Sequence, residues 1–530
     1  MGEMNRKPTD SKQTDLWFWL GMTGIFAMSV AMRWWGLERF NTLVFDEIYY
    51  VKFASDYFKG IPTFGGHPPL SFYPIAIAIW IAQHTPIGDG DIKNGLAGMM
   101  LSPVSYRWLN AVTGSFLPLA VAGLAYQISH RRRYALIAAL LVALDGTFLV
   151  DSRYALNNNY LILFGVLGHG CLLRGVTQSP SPGRWPLTGL FPSLNLSLAG
   201  IFLGLSVAVK WNGLGFLLGL YLCWLLIKGG QAYQTLADGV STLSPRHHPP
   251  IHRSPNTQSN HSRSPILGLA RLSMGQVLLY LVGIPMLAYF VSWIPFMRLD
   301  PSISFWDWQR SIIRYHADVG GMEAHPYCSP WYSWLVMWRP IAYFYRTAHG
   351  IHEPPPIIGP PLPAGFASIV YDVHAMANPV LLWLSTAAML LIIGMLIRYS
   401  GLGVYRFVLP PMLTRWFPNL RFVSFSPRSP TTSGWIAVYL GVNYLANWLP
   451  WMVSSRCTFF YHYMEALTFA ILAIAWFIDR WFHSRPSYRI AGIAALSLIA
   501  IAFVFWLPLY LGLPLSPDAF RWRLWFPSWV

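Results

Sequence analysis

Two adjacent carboxylates, Asp46-Glu47, follow the first long apolar stretch, in NTLVFDEIYYVKFASDYF. A carboxylate against a hydrophobic wall has a raised pKa and takes a proton from a hydroxyl, so the pair suits a general base; it also suits a solvated loop. Side chains adjacent on a helix diverge by about 100°, so at most one of the two faces a reacting atom. His67, in Gly66-His67-Pro68-Pro69-Leu70, fits either a substrate contact or a cap on a turn stiffened by two prolines. Arg107 (SPVSYRWLN), Arg153 (LDGTFLVDSRYALNNNY) and Lys210 (LSVAVKWNGLG) stand at the ends of apolar stretches. Singly, each reads as a snorkelling anchor. Gathered on the face that carries Asp46-Glu47, they suit a lipid phosphate, held bidentately by arginine and as a point charge by lysine. Tyr327, Trp331 and Trp334, in HPYCSPWYSWLVMWRP, suit a membrane-surface belt or sugar-ring stacking. Arg456 and His462, in SSRCTFFYHY, are polar groups beside hydrocarbon and so functional candidates facing protein or water.

The elements that must position these residues are membrane helices. Of 530 residues, 54% are apolar and 11% charged; a soluble domain carries about 25% charged residues. Too little polar material remains to coat soluble domains, which excludes a soluble enzyme, a disordered chain and a coiled coil. The 26 Trp and 27 Tyr suit many membrane–water crossings. The net charge of +16 is first a topology signal and only then a hint of anionic partners. The four cysteines, Cys171, Cys223, Cys328 and Cys457, show neither metal-type spacing nor a disulfide framework.

A spanning helix needs about 20 mostly apolar residues. Eleven such stretches are predicted, near 16–34, 108–128, 134–150, 158–173, 194–209, 211–228, 274–297, 379–397, 434–453, 457–478 and 490–512. The run 71–82 is too short to span and reads as interfacial or re-entrant. Counting it would also carry Arg131, Arg132 and Arg133 outside, against the positive-inside rule. The N-terminus is then inside and the C-terminus outside, and acids concentrate outside. The expected division is a cytoplasmic tail 1–15, a transmembrane catalytic domain 16–512 and an exterior tail 513–530. Within that domain lie a first exterior loop 35–107, a flexible Pro/Ser/His/Arg-rich cytoplasmic loop 229–273 and a long exterior loop 298–378.

These segments, in order, resemble the protein O-mannosyltransferases, a family of GT-C membrane glycosyltransferases. The resemblance is carried by FDEIYYVKFASDYFKG with HPPL, Arg107, LDGTFLVDSRYAL, LSVAVKWNGLG, HPYCSPWYSWLVMWRP and NWLPWMVSSRCTFFYHYMEAL. It departs from the family at Asn157-Asn158-Asn159, where an acid is common, and at Cys328. The loop 298–378 is too short for the β-trefoil domain of eukaryotic members, which favours a bacterial-type member. The resemblance implies an all-α polytopic fold, and inverting transfer of mannose from a polyprenyl-phosphate-mannose donor to Ser/Thr hydroxyls of acceptor proteins. Transfer would occur on the exterior face of the cell membrane, on acceptors met during translocation. It implies Asp46 as base, Glu47 as an orienting group, and Arg107, with Lys210 and Arg153, on the donor phosphate. His67, Tyr327, Trp331, Trp334, Arg456 and His462 would bind substrate or shape the site. No metal or cofactor is required by this inventory, although a bridging divalent ion remains compatible with it, and no nucleic acid is expected. A related GT-C enzyme moving another lipid-linked sugar, such as aminoarabinose to lipid A, predicts the early Asp-Glu and Arg but not the later motifs. A transporter predicts repeats and mid-span charges.

Overall fold

The computed structural model describes residues 8–178, 190–242, 264–348, 368–399 and 432–529. Helix α1 (Pro8–Trp34) begins inside the expected tail and leads into the loop 35–102. That loop carries α2 (Glu47–Phe58) and α3 (Tyr73–Gln83). At 11 residues, α3 is the short apolar helix expected at 71–82. There follow α4 (Pro103–Ser129), α5 (Arg132–Ala143), α6 (Gly146–Asp151), α7 (Asn158–Gln178), α8 (Leu190–Val209) and α9 (Leu214–Thr242). Next come α10 (Met274–Val277), which passes through a π turn into α11 (Ile284–Met297), and the amphipathic helix α12 (Phe305–Asp318). The last helices across the bundle are α13 (Pro379–Tyr399), α14 (Thr432–Trp448), α15 (Met464–Phe482) and α16 (Pro486–Leu511).

Among the described residues, eight helices are long and apolar enough to cross a membrane, and they coincide with eight of the eleven predicted stretches. Two of the other three form shorter helices, α14 with 17 residues and the 193–209 part of α8. The third, 134–150, is broken. Asp145 ends α5 and caps α6, accepting from the amides of Thr147 (2.9 Å) and Phe148 (3.2 Å), while its other oxygen accepts from Asn378 N (3.2 Å). A carboxylate inside an apolar run is held by backbone donors, and the helix restarts there.

Two details add to these expectations. The architecture is helical as expected, and the loop 298–378 adds one hairpin, β1 (Ile341–Ala348) antiparallel to β2 (Ile369–Ala375). β2 is buried along its whole length, and the pairing slips between Ala342 and Phe344, leaving Tyr343 at a bulge. The loop 229–273 is helical as far as Thr242 and turns again at Pro265–Arg271; its His/Pro-rich centre lies outside the described residues. The tail after 512 folds back, with the buried Trp529 donating to Met337 O at 2.8 Å.

Candidate active site

The conformation at Asp46 is set one residue earlier. Phe45 is left-handed (φ 52°), which is rare for a bulky side chain and costs of order 1–3 kcal/mol. Its ring lies stacked on Tyr343, 4.5 Å away and 7° from parallel. The β1 bulge thus supplies the ring that holds this turn, a common use of bulges beside sites. Asp46 then occupies the cap position of α2, yet its carboxylate makes no capping bond. It is half-buried and, rather than capping the helix, meets the Tyr461 hydroxyl.

Glu47 points the other way and is fully buried. One oxygen accepts from Arg107 Nε (2.8 Å) and Ala155 N (2.8 Å), the other from Arg107 Nη2 (2.7 Å) and Val44 N (2.8 Å). Arg107 spends its remaining N–H groups on the carbonyls of Leu37, Phe40 and Thr42. With all five donors engaged, none is left for a phosphate, which departs from the expectation for Arg107. Arg153 departs likewise. It is buried and donates to the carbonyls of Met32, Arg33 and Gly36 at the end of α1, locking that end rather than facing Asp46.

The groups that do gather around Asp46 come from six segments. Lys210, between α8 and α9, donates to Asn158 Oδ1 (2.7 Å), and Asn158 Nδ2 donates to Asp151 Oδ1 (2.8 Å). Tyr343 donates to the same Asp151 oxygen at 3.3 Å. The Lys210 ammonium also lies 5.0 Å from the Tyr461 ring centre. Burial raises the Asp46 carboxyl to about 6; Lys210 pulls it down, Asp151 pushes it up, and the Tyr461 hydroxyl favours the charged form. Burial lowers Lys210 to about 8, opposed by Asp46 and Asp151. His67 and His316 of α12 face each other, ring centres 5.3 Å apart. Burial, then the neighbouring cations Lys210 and Arg456, hold His67 well below the usual histidine range. Burial, then the same two cations, push His316 down to about 4. Both rings are therefore neutral N–H donors near neutral pH. Arg456 lies 5.7 Å from the Trp451 ring centre and makes one long bond, to Cys457 O at 3.5 Å, which leaves donors to spare.

His462 lies against Trp451 (4.6 Å) and stacks on Trp334 (6.3 Å). Trp334 is buried and donates to Ser329 Oγ, while Trp331 packs 4.8 Å from Trp448 and Tyr327 packs on His325. The aromatic run is a wall behind the site. It is pinned by a Cys328–Cys457 disulfide, Cα atoms 5.2 Å apart across 129 positions, which corrects the reading that the cysteines form no bridge. The pairing arises because backbone bonds lay 320–329 along 457–458, with Cys457 N to Gly320 O at 2.8 Å and Ser329 N to Thr458 O at 2.7 Å. Asp151, Asn158, Tyr461 and His316 were missed as site residues. Asp151 and Asn158 lay in a quoted motif without a visible partner, and His316 carried no signal beyond its place in a short amphipathic helix. Among the described residues, no group of three or more His, Cys, Asp or Glu has the geometry of a metal site.

The pattern described as dolichyl-phosphate-mannose-protein mannosyltransferase matches residues 23–234. That described as the C-terminal four-TMM region of protein-O-mannosyltransferase matches residues 302–529. The chain belongs to the protein O-mannosyltransferase family. This mannosyltransferase is 23% identical to the polyprenol-phosphate-mannose–protein mannosyltransferase of Mycolicibacterium smegmatis (strain MKD8), over 92% of this chain and 88% of that protein. It is 31% identical to Drosophila melanogaster protein O-mannosyltransferase 1 over 39% of this chain and 22% of that one. Its fold is shared with the S. cerevisiae Pmt1–Pmt2 complex bound to the sugar donor (TM-score 0.66, 14% identity, 97% of this chain and 92% of that one). It is a multi-pass GT-C membrane glycosyltransferase, and membership of this family sets aside the transporter and the aminoarabinose transferase.

Proposed function

We propose that this mannosyltransferase moves mannose from polyprenyl-phosphate mannose to Ser or Thr hydroxyls of proteins, with Asp46 as the base. The observation that carries this reading is the Asp46 carboxylate, without an arginine or lysine locked onto it, beside the Tyr461 hydroxyl and among Lys210, Arg456 and neutral histidines, at one end of a membrane bundle. The acceptor oxygen attacks the anomeric carbon and the C–O bond to phosphate breaks. Its electron pair leaves with the polyprenyl phosphate, and the hydroxyl proton goes to Asp46. Negative charge grows on the phosphate as it departs, and Lys210 and Arg456, with N–H groups of His67 and His316, stabilise it there. A single displacement inverts the anomer. Glu47 and Arg107 act from behind, fixing the loop that presents Asp46.

The same reading puts the site on the exterior face of the cell membrane. A disulfide lies beside it, and disulfides persist in oxidising compartments. The opposite end of the bundle carries Arg131, Arg132, Arg133, Arg480, Arg485 and Arg489, as the positive-inside rule asks of a cytoplasmic side. The test is the purified chain in liposomes with labelled polyprenyl-phosphate mannose and a Ser/Thr-rich peptide. Mannose on a peptide hydroxyl, of opposite anomeric configuration to the donor, supports the reading; hydrolysis alone, or transfer to lipid only, contradicts it.

A further inference from the structure

At the end of the bundle away from the site, α5, α15 and α16 enclose a groove of about 530 Å³ lined by Arg133, Leu136, Ile137, Leu140, Phe482, Arg489 and Leu496. α15 starts two residues after His462 and reaches Phe482 about 30 Å further on, so the groove belongs to the opposite leaflet. Its floor is aliphatic and its mouth cationic. Arg133 lies 5.7 Å from the Phe482 ring centre. Neither guanidinium has a hydrogen-bond acceptor or an ion-pair partner among the described residues. Among the described residues the nearby acid is Asp479, which is buried and holds Arg131 at 2.9 Å with His483 beside it; it also feels Arg133 and Arg480, so one carboxylate faces an excess of cations. Two arginines without a hydrogen-bonded acid or carbonyl, over an apolar trough, match an anionic headgroup followed by an acyl chain. Basic pockets between helices at a membrane surface recognise such lipids, and arginine grips phosphate bidentately.

We infer that this groove binds one anionic glycerophospholipid, its phosphate between Arg133 and Arg489 and an acyl chain along Leu136, Leu140 and Leu496. The site is separate from the transferase centre and does not depend on the assignment of its chemistry. A neutral lipid has the chain but not the charge, and inorganic phosphate the charge but not the chain, so neither fills it equally well.

The experiment is native mass spectrometry of the delipidated full chain, titrated with phosphatidylglycerol, phosphatidylcholine and polyprenyl phosphate, with a thermal midpoint read in parallel. One phosphatidylglycerol should remain bound at activation that strips phosphatidylcholine, and it should raise the midpoint. Arg133→Gln/Arg489→Gln should weaken that binding roughly thirtyfold, about fivefold per arginine. Arg174→Gln, at the same end but outside the groove, should not change it. If the double variant fails to fold, Arg489→Gln alone, at an exposed position, should show its fivefold share. Equal retention of the two phospholipids, undiminished binding by the arginine variants, or a preference for polyprenyl phosphate would overturn the inference.

Discussion

Arg107 grips both oxygens of Glu47, Nε to Oε1 at 2.8 Å and Nη2 to Oε2 at 2.7 Å, with both side chains buried. Glu47 directly follows Asp46, and the pair joins α4 to the loop after α1. The same carboxylate accepts from Ala155 N, so three segments meet on one group. The motif's two acids are therefore unlike: one is a fully paired anchor, the other is presented to the site.

Removing one partner of a buried ion pair strands the other and costs roughly 3–5 kcal/mol. Arg107→Ala should therefore lower the thermal midpoint and the yield of folded protein sharply, as well as activity. Arg107→Lys should recover only part, because the fork is lost. Glu47→Gln combined with Arg107→Ala should be less destabilised than Arg107→Ala alone, since no buried charge is then left unpaired. Thermal unfolding in detergent reads all three; a normal midpoint for Arg107→Ala would contradict the anchor role.

The pH dependence has two limbs. Asp46 is raised to about 6, so below that pH it holds a proton and cannot accept another. Lys210 is lowered to about 8, so above that pH it loses the charge proposed to meet the phosphate. The kcat/KM profile, which reports the free enzyme, should rise toward a plateau above about 6 and fall beyond about 8. Lys210→Arg should carry the falling limb to higher pH, whereas a limb that stays in place belongs to another group.

Much of this site was legible because its residues sit in tight motifs at the ends of apolar runs. Asp46, His67, Lys210, Arg456 and His462 were all named from position and do converge. What failed were the partners. Arg107 and Lys210 look alike in sequence, each a cation at a span end. Only the fold shows that one spends two of its five N–H donors on Glu47 and the other three on backbone carbonyls, while the other faces Asp46. The break at Asp145 was hidden because one carboxylate barely lowers the hydropathy of 134–150, and the Cys328–Cys457 bridge because no local spacing encodes a contact between distant loops.

Arg456 has a single long backbone bond and borders the site. Arg456→Gln should leave the thermal midpoint nearly unchanged while weakening donor use by roughly 1.5–3 kcal/mol, the worth of a charge-assisted contact. A donor titration at saturating peptide reads this, and an unchanged donor KM and kcat would remove Arg456 from the phosphate site.

The Cys328–Cys457 bridge closes a long loop, and such bridges contribute typically 2–4 kcal/mol. Cys328→Ser/Cys457→Ser should lower the thermal midpoint and, by loosening the segment that carries Arg456, raise the donor KM more than it lowers kcat. Thiol counting on unfolded, unreduced protein should find only Cys171 and Cys223 reactive. Four reactive thiols would contradict the bridge.

The role of Asp46 is tested most directly by single-turnover transfer from polyprenyl-phosphate mannose to a Ser/Thr peptide by Asp46→Asn, at matched levels of folded protein. The substitution keeps size and removes the proton acceptor. The rate should fall roughly 10²–10⁴-fold, with donor affinity nearly intact and Glu47→Gln losing activity mainly in proportion to folded protein. A folded Asp46→Asn enzyme that transfers mannose at near-normal rate would contradict the account.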